Sequence, residues 1–503
     1  MKKINELYNR YNSNFILYTV TYLLLAVFSI ASVVIKIHYR GLLMTGIIAS
    51  ILFIVELVFY FIIKKYFNTN KIHKIYLILV IFFGIFFIAL FPPGGVPDES
   101  PDYKRTLEVS EFHLVSEMKD TYVGREFPNN ITTVFETGTY KDMLKNKDLK
   151  LEGEKSFINF ATKALYAFLC YIPQAIGVFI GRILNLPIII QVMLGKICNF
   201  AMFVTLTYLS IKYIPNKKNL MMFLCLIPIT MQEAASLSPD CMIIALSITL
   251  VSFVSWARVT KKVFEKKHFI ALSLLLIFLS VCKIVYLPFC FLILLIPKEC
   301  YKNIKNKMIY TISILLISMI ISFIWLKICS PFLYSFTVYR GSNPDEQLKY
   351  IISNPFKYLK TILVTIKTDG VLYLEEMFGL YLGRIAIVTS KFLAYFSMLI
   401  VFILLSINNA RKSMLKVIEQ IFVGLIIVGT FILIFTSLYL QWTPVCSKYI
   451  IGIQGRYFIP LIPLISLLLL SNRKEEKTNH LVITTMLVFN LVSFVFIFNY
   501  FFV

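Results

Sequence analysis

The residues best placed to do chemistry are carboxylates and cations at the edges of apolar runs. In "FPPGGVPDESPDYKR", residues 91–105, Asp98, Glu99 and Asp102 follow directly on a stretch suited to lipid. An ionised carboxylate at a lipid–water boundary can act as a general base or a metal ligand. The same residue types also make an ordinary solvated turn at the end of a helix. Asp240 follows Ser238-Pro239 between two apolar runs and reads either as a helix cap or as a second acid. Lys283 interrupts the apolar stretch 269–297, where a cation either marks function or snorkels to the interface. Arg456 and Tyr457, in "GIQGRYFIPLIP", open another apolar run. The guanidinium there either clamps a lipid phosphate or anchors among headgroups.

Membrane helices must position these groups. The chain has 503 residues, of which 58% are hydrophobic and 15% charged. Soluble domains are usually less than half apolar, and several runs here match the length needed to cross a bilayer. The expected fold class is an all-α polytopic membrane protein with about 13 spans, at 15–36, 41–63, 74–91, 189–211, 219–235, 240–257, 269–282, 285–297, 308–329, 388–407, 417–440, 458–471 and 481–502. The first run follows Lys2, Lys3 and Arg10 and has no small-residue cleavage site, so it reads as a retained helix rather than a signal peptide.

Charge sets the orientation. With the N-terminus in the cytoplasm, the inner segments 1–14, 64–74, 212–218, 258–268, 298–307, 408–416 and 472–480 together hold 25 of the 50 Lys and Arg residues. The reverse orientation would carry all of these clusters across the membrane. The C-terminus then lies outside. The net charge of +23 is therefore a topology signal with contact to anionic lipid, and nucleic acid is not an expected partner.

Two stretches depart from simple spanning. "KALYAFLCYIPQAIGVFIG", 163–181, is apolar enough to span, but spanning would move every later basic loop outside, so it is expected to lie on the outer face. The stretch 269–297 must cross twice and reads as a thin hairpin broken at Lys283. Three parts result. Residues 1–91 hold the first helices, 92–188 form a long outer loop with juxtamembrane helices, and 189–503 form a bundle with outer loops near 330–387 and 441–457. From Asp98 to Lys155 the long loop holds 13 of the chain's 27 acids. In it, Ser100-Pro101 predicts a helix start near residue 101, with Tyr103, Leu107, Leu114 and Met118 on the apolar side of an interfacial helix. The nine cysteines are scattered, none in a CxxC pair, and read as small buried hydrophobes.

Five stretches in order carry a resemblance: "GGVPDESPDYKRTLEVSEFHLVSE", "YIPQAIGVFIGRILNLP", "PITMQEAASLSPDCMIIALS", "CKIVYLPFCFLILLIPK" and "GIQGRYFIPLIPLISLLL". Together they resemble a bacterial family of predicted membrane proteins, domain-of-unknown-function family 2142, grouped with the GT-C glycosyltransferases. That resemblance implies a plasma-membrane enzyme. It would move a sugar from a polyprenyl-phosphate donor to a glycan or lipid acceptor of the cell envelope, on the outer face. It implies Asp98 and Glu99 as catalytic acids, with Asp102, Asp240, Lys283, Arg456 and Tyr457 binding substrate. A divalent cation, Mg2+ or Mn2+, is left open, with Asp98 and Glu99 as its ligands. The histidine that follows the acids in the family is missing here, and His113 is the one histidine of the loop. A flippase of lipid-linked sugars is the alternative, with the same topology and the same cations but no need for paired acids.

Overall fold

Prolines and glycines decide where the helices stop. In the computed structural model, residues 72–136, 139–335, 341–406, 414–470 and 479–501 are described, with isolated positions between 23 and 58. The expected spans 15–36 and 41–63 fall almost wholly outside them. Helix α1, Ile72–Leu90, ends where Pro92 and Pro93 withdraw backbone donors and Gly94 turns the chain at φ 81°. Helix α2, Glu99–Ser110, follows at once. A three-stranded antiparallel sheet comes next, built of β1 (Glu117–Lys119), β2 (Tyr122–Pro128) and β3 (Lys155–Asn159) in the order β1-β2-β3. The expectation of an all-α chain is corrected here. Val123, Phe127 and Ile158 bring strand-forming side chains to this loop, and its high charge hid their pattern.

The stretch 163–181 is not one helix. It contains a helical turn at Ala161–Ala164, a 3-10 turn at Phe168–Tyr171 and helix α3, Ile172–Ile183. At 12 residues α3 is about 18 Å long, well short of a bilayer core of about 30 Å. It packs along α4, Ile188–Tyr213.

The run expected to span at 219–235 is two helices, α5 (Lys218–Leu226) and α6 (Pro228–Ala234). Ile227 is extended, at ψ 140°, because a residue before proline is pushed out of the α region. Broken backbone is tolerated at membrane depth when protein covers it, and every residue from 219 to 239 is buried. Helix α7 is Asp240–Thr260.

The expected hairpin is present as α8, Lys266–Cys282, then Lys283 in extended backbone, then a 3-10 helix, Ile284–Leu295, packed back on α8. A 3-10 helix rises about 2 Å per residue, so these 12 residues reach about 24 Å, further than the same residues would as α-helix. Helix α9 is Ile304–Cys329. It is followed by α10 (Pro344–Ser353), α11 (Pro355–Met377), a two-stranded antiparallel sheet (Tyr381–Leu382 with Ile387–Val388) and α12 (Lys391–Ser406). The last three helices are α13 (Val417–Gln441), α14 (Leu461–Leu468) and α15 (Asn479–Phe501).

Among the described residues six helices are long and apolar enough to cross a membrane, namely α1, α4, α7, α9 with its 3-10 extension, α13 and α15. The chain is thus a multi-pass membrane protein. The other expected spans are shorter or broken helices, so helix length alone does not give a count of 13. The bundle has an inside and an outside. The spanning windows of α7 and α15 are 72% and 83% buried, whereas those of α9 and α13 are 28% buried and turn Ile312, Leu316, Phe323 and Leu425 outward. That periphery is an apolar belt suited to lipid contact.

Candidate functional site

The site begins with the turn that ends α1. Phe135 O lies 2.9 Å from where a Cβ on Gly94 would be, so only glycine fits the left-handed turn. The Gly94 N–H donates to Glu99 Oε2 at 2.7 Å, and Glu99 Oε1 pairs with Lys196 Nζ at 2.9 Å. Lys196, on α4, also donates to Phe91 O at 3.1 Å. Glu99 and Lys196 are both fully buried, and together they tie the turn to the bundle.

Asp98 stands at the apex. It occupies the N-cap position of α2 at φ 61°, a left-handed conformation that Asp tolerates better than most residues, and its side chain does not cap the helix. The helix thus begins at Glu99, two residues before the expected start near residue 101, and Asp98 rather than Ser100 holds the cap position. The expectation of an interfacial helix is also corrected. Tyr103 and Leu107 are buried in the protein, while Leu114 and Met118 lie beyond the end of α2.

The Asp98 carboxylate faces cations from two other elements. Its Oδ2 is 3.3 Å from Lys163 Nζ and 3.4 Å from Arg456 Nη2. Lys163 comes from the turn Ala161–Ala164, and Arg456 from a 3-10 turn, Gly455–Phe458. Gly455 lets that turn touch the end of α11, since a Cβ there would sit 2.1 Å from Tyr373 O. Its N–H donates to Glu376 Oε2 at 2.6 Å.

Arg456 is shared among three acids. Nη1 pairs with Glu233 Oε1 at 2.9 Å, Nε with Asp240 Oδ2 at 3.3 Å, and Nη2 with Asp98. Asp240 is the first residue of α7, and its Oδ1 pairs with Lys283 Nζ at 3.1 Å. Its carboxylate is therefore part of the charge cluster and not a cap; Ser238 Oγ accepts from the Asp240 N–H instead, at 3.2 Å. Lys283 Nζ lies 4.0 Å from the centre of the Tyr457 ring, a cation–π contact. Both cations are held by acids of the protein, Lys283 by Asp240 and Arg456 by Glu233, Asp240 and Asp98.

Asp102, one turn along α2, completes the cluster. Its Oδ1 accepts from Tyr171 OH at 2.7 Å and lies 3.4 Å from Lys163 Nζ; its Oδ2 has no hydrogen-bond partner among the described residues. Burial pushes the Asp102 carboxyl up to about 7, against the pull of Lys163 and Tyr171 and with the help of Asp98. Asp98 goes the other way, held below the usual carboxylate value chiefly by Lys163, with Arg456 adding to the effect against burial. Burial opposes the Lys163 charge, but Asp102, Asp98 and Asp240 outweigh it and raise its pKa. Two nearby carboxyls with opposed proton affinities are a usual sign of a working site.

Of the residues singled out in the sequence, Asp98, Asp102, Asp240, Lys283, Arg456 and Tyr457 meet in one cluster, and Glu99 lies behind it. Lys163, Glu233 and Lys196 were missed. Each is a charge within or beside an apolar run, which is itself the signal that marks intramembrane function. His113 is exposed beyond the far end of α2. The residues do not fit a divalent cation held by Asp98 and Glu99. Glu99 is enclosed by Lys196 and Gly94, Asp98 meets two cations, and no three acidic, His or Cys side chains among the described residues converge as ligands. A separate cleft of about 360 Å³ opens at the C-terminal end of α2, where Arg182 already pairs with Glu111 at 2.7 Å. The convergent charges lie at the other end.

The cluster sits where α1 and α8 end and where α7 and the Gly455–Phe458 turn begin, while the basic segments 212–218, 258–268 and 298–307 join the opposite helix ends. Among the cluster acids, Asp98 is the accessible one, with 46% of its side chain exposed against 13% for Asp240, 1% for Asp102 and 0% for Glu233. The arrangement offers an open carboxylate backed by three nearly buried cations, a geometry able to accept a proton on one side and hold an anion on the other. A family model described as "Predicted membrane protein (DUF2142)" matches residues 81–465, most of the chain. No curated protein and no solved structure matches the chain.

Proposed function

The chain belongs to the DUF2142 family of predicted membrane proteins, and from that premise and the geometry above we propose a membrane glycosyltransferase of GT-C type. It takes a sugar from a polyprenyl-phosphate donor at the outer face of the plasma membrane and passes it to a hydroxyl of an envelope glycan or lipid. The observation that carries this reading is the accessible Asp98 carboxylate beside Arg456 and Lys163, with Lys283 joined to the same cluster through Asp240, at the helix ends opposite the basic loops.

The step balances as follows. The acceptor oxygen attacks the anomeric carbon on the face opposite the phosphate, and its proton passes to Asp98. The bond from the anomeric carbon to the phosphate oxygen breaks, and its electron pair leaves with the lipid phosphate. Arg456 and Lys283 stabilise that developing charge in a site with little water. The anomeric configuration inverts. Asp240 aligns both cations, Tyr457 contacts the sugar side, Asp102 holds Lys163 from behind the site, and Glu99 holds the turn that presents Asp98. No metal enters the step.

A flippase of lipid-linked sugars would use the same cations. Transporters place their binding site near the bilayer midplane between internal repeats, whereas this cluster lies at helix ends, which favours the enzyme. Envelope glycan composition tests the proposal. In cells expressing the wild type, Asp98→Asn or Glu99→Gln, the glycosylated product is expected with the wild type and lost with Asp98→Asn at equal protein levels. Unchanged glycans in both variants rule the enzyme out.

A further inference from the structure

Three cations in the cluster are nearly out of water, with side-chain exposures of 8% for Lys163, 15% for Lys283 and 5% for Arg456. A buried cation needs an anionic partner. Glu233 is fully buried and Asp240 largely so, and neither can leave without stranding a charge. Asp98 differs from them in two ways. It is half-exposed, and its backbone is the single left-handed residue after Pro97. It is the anion most readily exchanged for another.

We propose that Asp98 is a built-in competitor of the donor phosphate, occupying Lys163 and Arg456 in the empty site and being displaced from them when the phosphate binds. This rests on the donor reading above and adds Lys163 to the phosphate-binding groups. A phosphodiester carries one negative charge, as Asp98 does, so the exchange leaves the cluster balanced. Freed from two cations, the carboxylate gains affinity for a proton. The base thus becomes competent when the donor is in place, and an empty site does not hold an active base beside water.

Binding of a probe that cannot react separates the ideas. Farnesyl methyl phosphate is a singly charged phosphodiester with no sugar to transfer, and farnesol is its uncharged control. Affinities are measured for the full chain in nanodiscs, as wild type, Asp98→Asn, Asp98→Glu and Lys163→Met. Asp98→Asn removes the competitor and is expected to bind the phosphodiester about tenfold more tightly, with farnesol binding unchanged. Asp98→Glu keeps the competitor and should match the wild type, which also controls for folding. Lys163→Met should bind more weakly. Equal or weaker binding by Asp98→Asn, with Asp98→Glu normal, overturns the displacement. If the wild type and every variant bind the phosphodiester no better than farnesol, the phosphate-donor reading falls with it.

Discussion

Asp98 and Asp102 are four residues apart on one helix, and their surroundings give them opposite proton affinities. Asp98 opens to solvent beside Lys163 and Arg456, while Asp102 is enclosed and has one oxygen without a donor. The direction for Asp102 fixes the sign of a stability effect. Its folded pKa of about 7 lies above the ordinary value of 3.8, so the folded state binds more protons between these limits. The stabilisation is fully present below pH 3.8 and is lost as pH rises through about 7. Melting temperature should therefore fall from pH 5 to pH 8 more steeply for the wild type than for Asp102→Asn, whose side chain does not titrate. Parallel curves would show that Asp102 is not protonated in the fold. Asp98, Asp240, Lys283 and Arg456 were legible in the sequence because each is a charge at the edge of an apolar run. Their partnership was not, because they lie up to 358 positions apart and meet only through the packing of separate helix ends.

At the scale of elements, a proline–glycine cluster and a lone lysine marked two breaks in apolar runs, and amphipathic spacing was a poor guide. The end of α1 and the break at Lys283 follow from the sequence. The break at Pro228 was passed over because the run around it is uniformly apolar. The periodicity of Tyr103 and Leu107 was real, but it faces other protein rather than lipid, and a sequence does not distinguish the two solvents. The short sheet at 117–159 was hidden by charges that its own contacts employ, such as Arg125 with Glu108 at 3.0 Å and with Glu117 at 2.8 Å. The Glu99–Lys196 pair joins α2 to α4 in a fully buried setting. Lys196→Met removes the buried cation that faces Glu99, leaving its carboxylate only the Gly94 N–H, and should cost about 3–5 kcal/mol. Adding Glu99→Gln should recover most of it, because no buried charge then remains. Equal melting temperatures for the wild type and Lys196→Met would deny the pair its role.

The whole molecule separates its charges by end. Basic segments gather at one set of helix ends, and the cluster of Asp98, Asp240, Lys163, Lys283 and Arg456 lies at the other. In the proposed orientation, with the basic end in the cytoplasm, the cluster faces outward. Cys446 reports on this, since it is exposed in the segment 441–457 just before the Arg456 turn. An impermeant maleimide should label it in intact cells, whereas labelling only after permeabilisation would reverse the topology and the face on which donor and acceptor meet. The division of the chain into early helices, long loop and bundle stands as an expectation from apolar runs, and its first two helices lie almost wholly outside the described residues. A count of crossings does not follow from those runs, because buried broken helices and a 3-10 segment do not announce their length. The most direct measurement is transfer of radiolabelled sugar from a polyprenyl-phosphate donor to endogenous acceptors in isolated membranes, with wild type beside Asp98→Asn at matched protein levels. Transfer by the wild type and its loss in the variant is the expected result. Equal labelling in both would contradict a glycosyltransferase centred on Asp98.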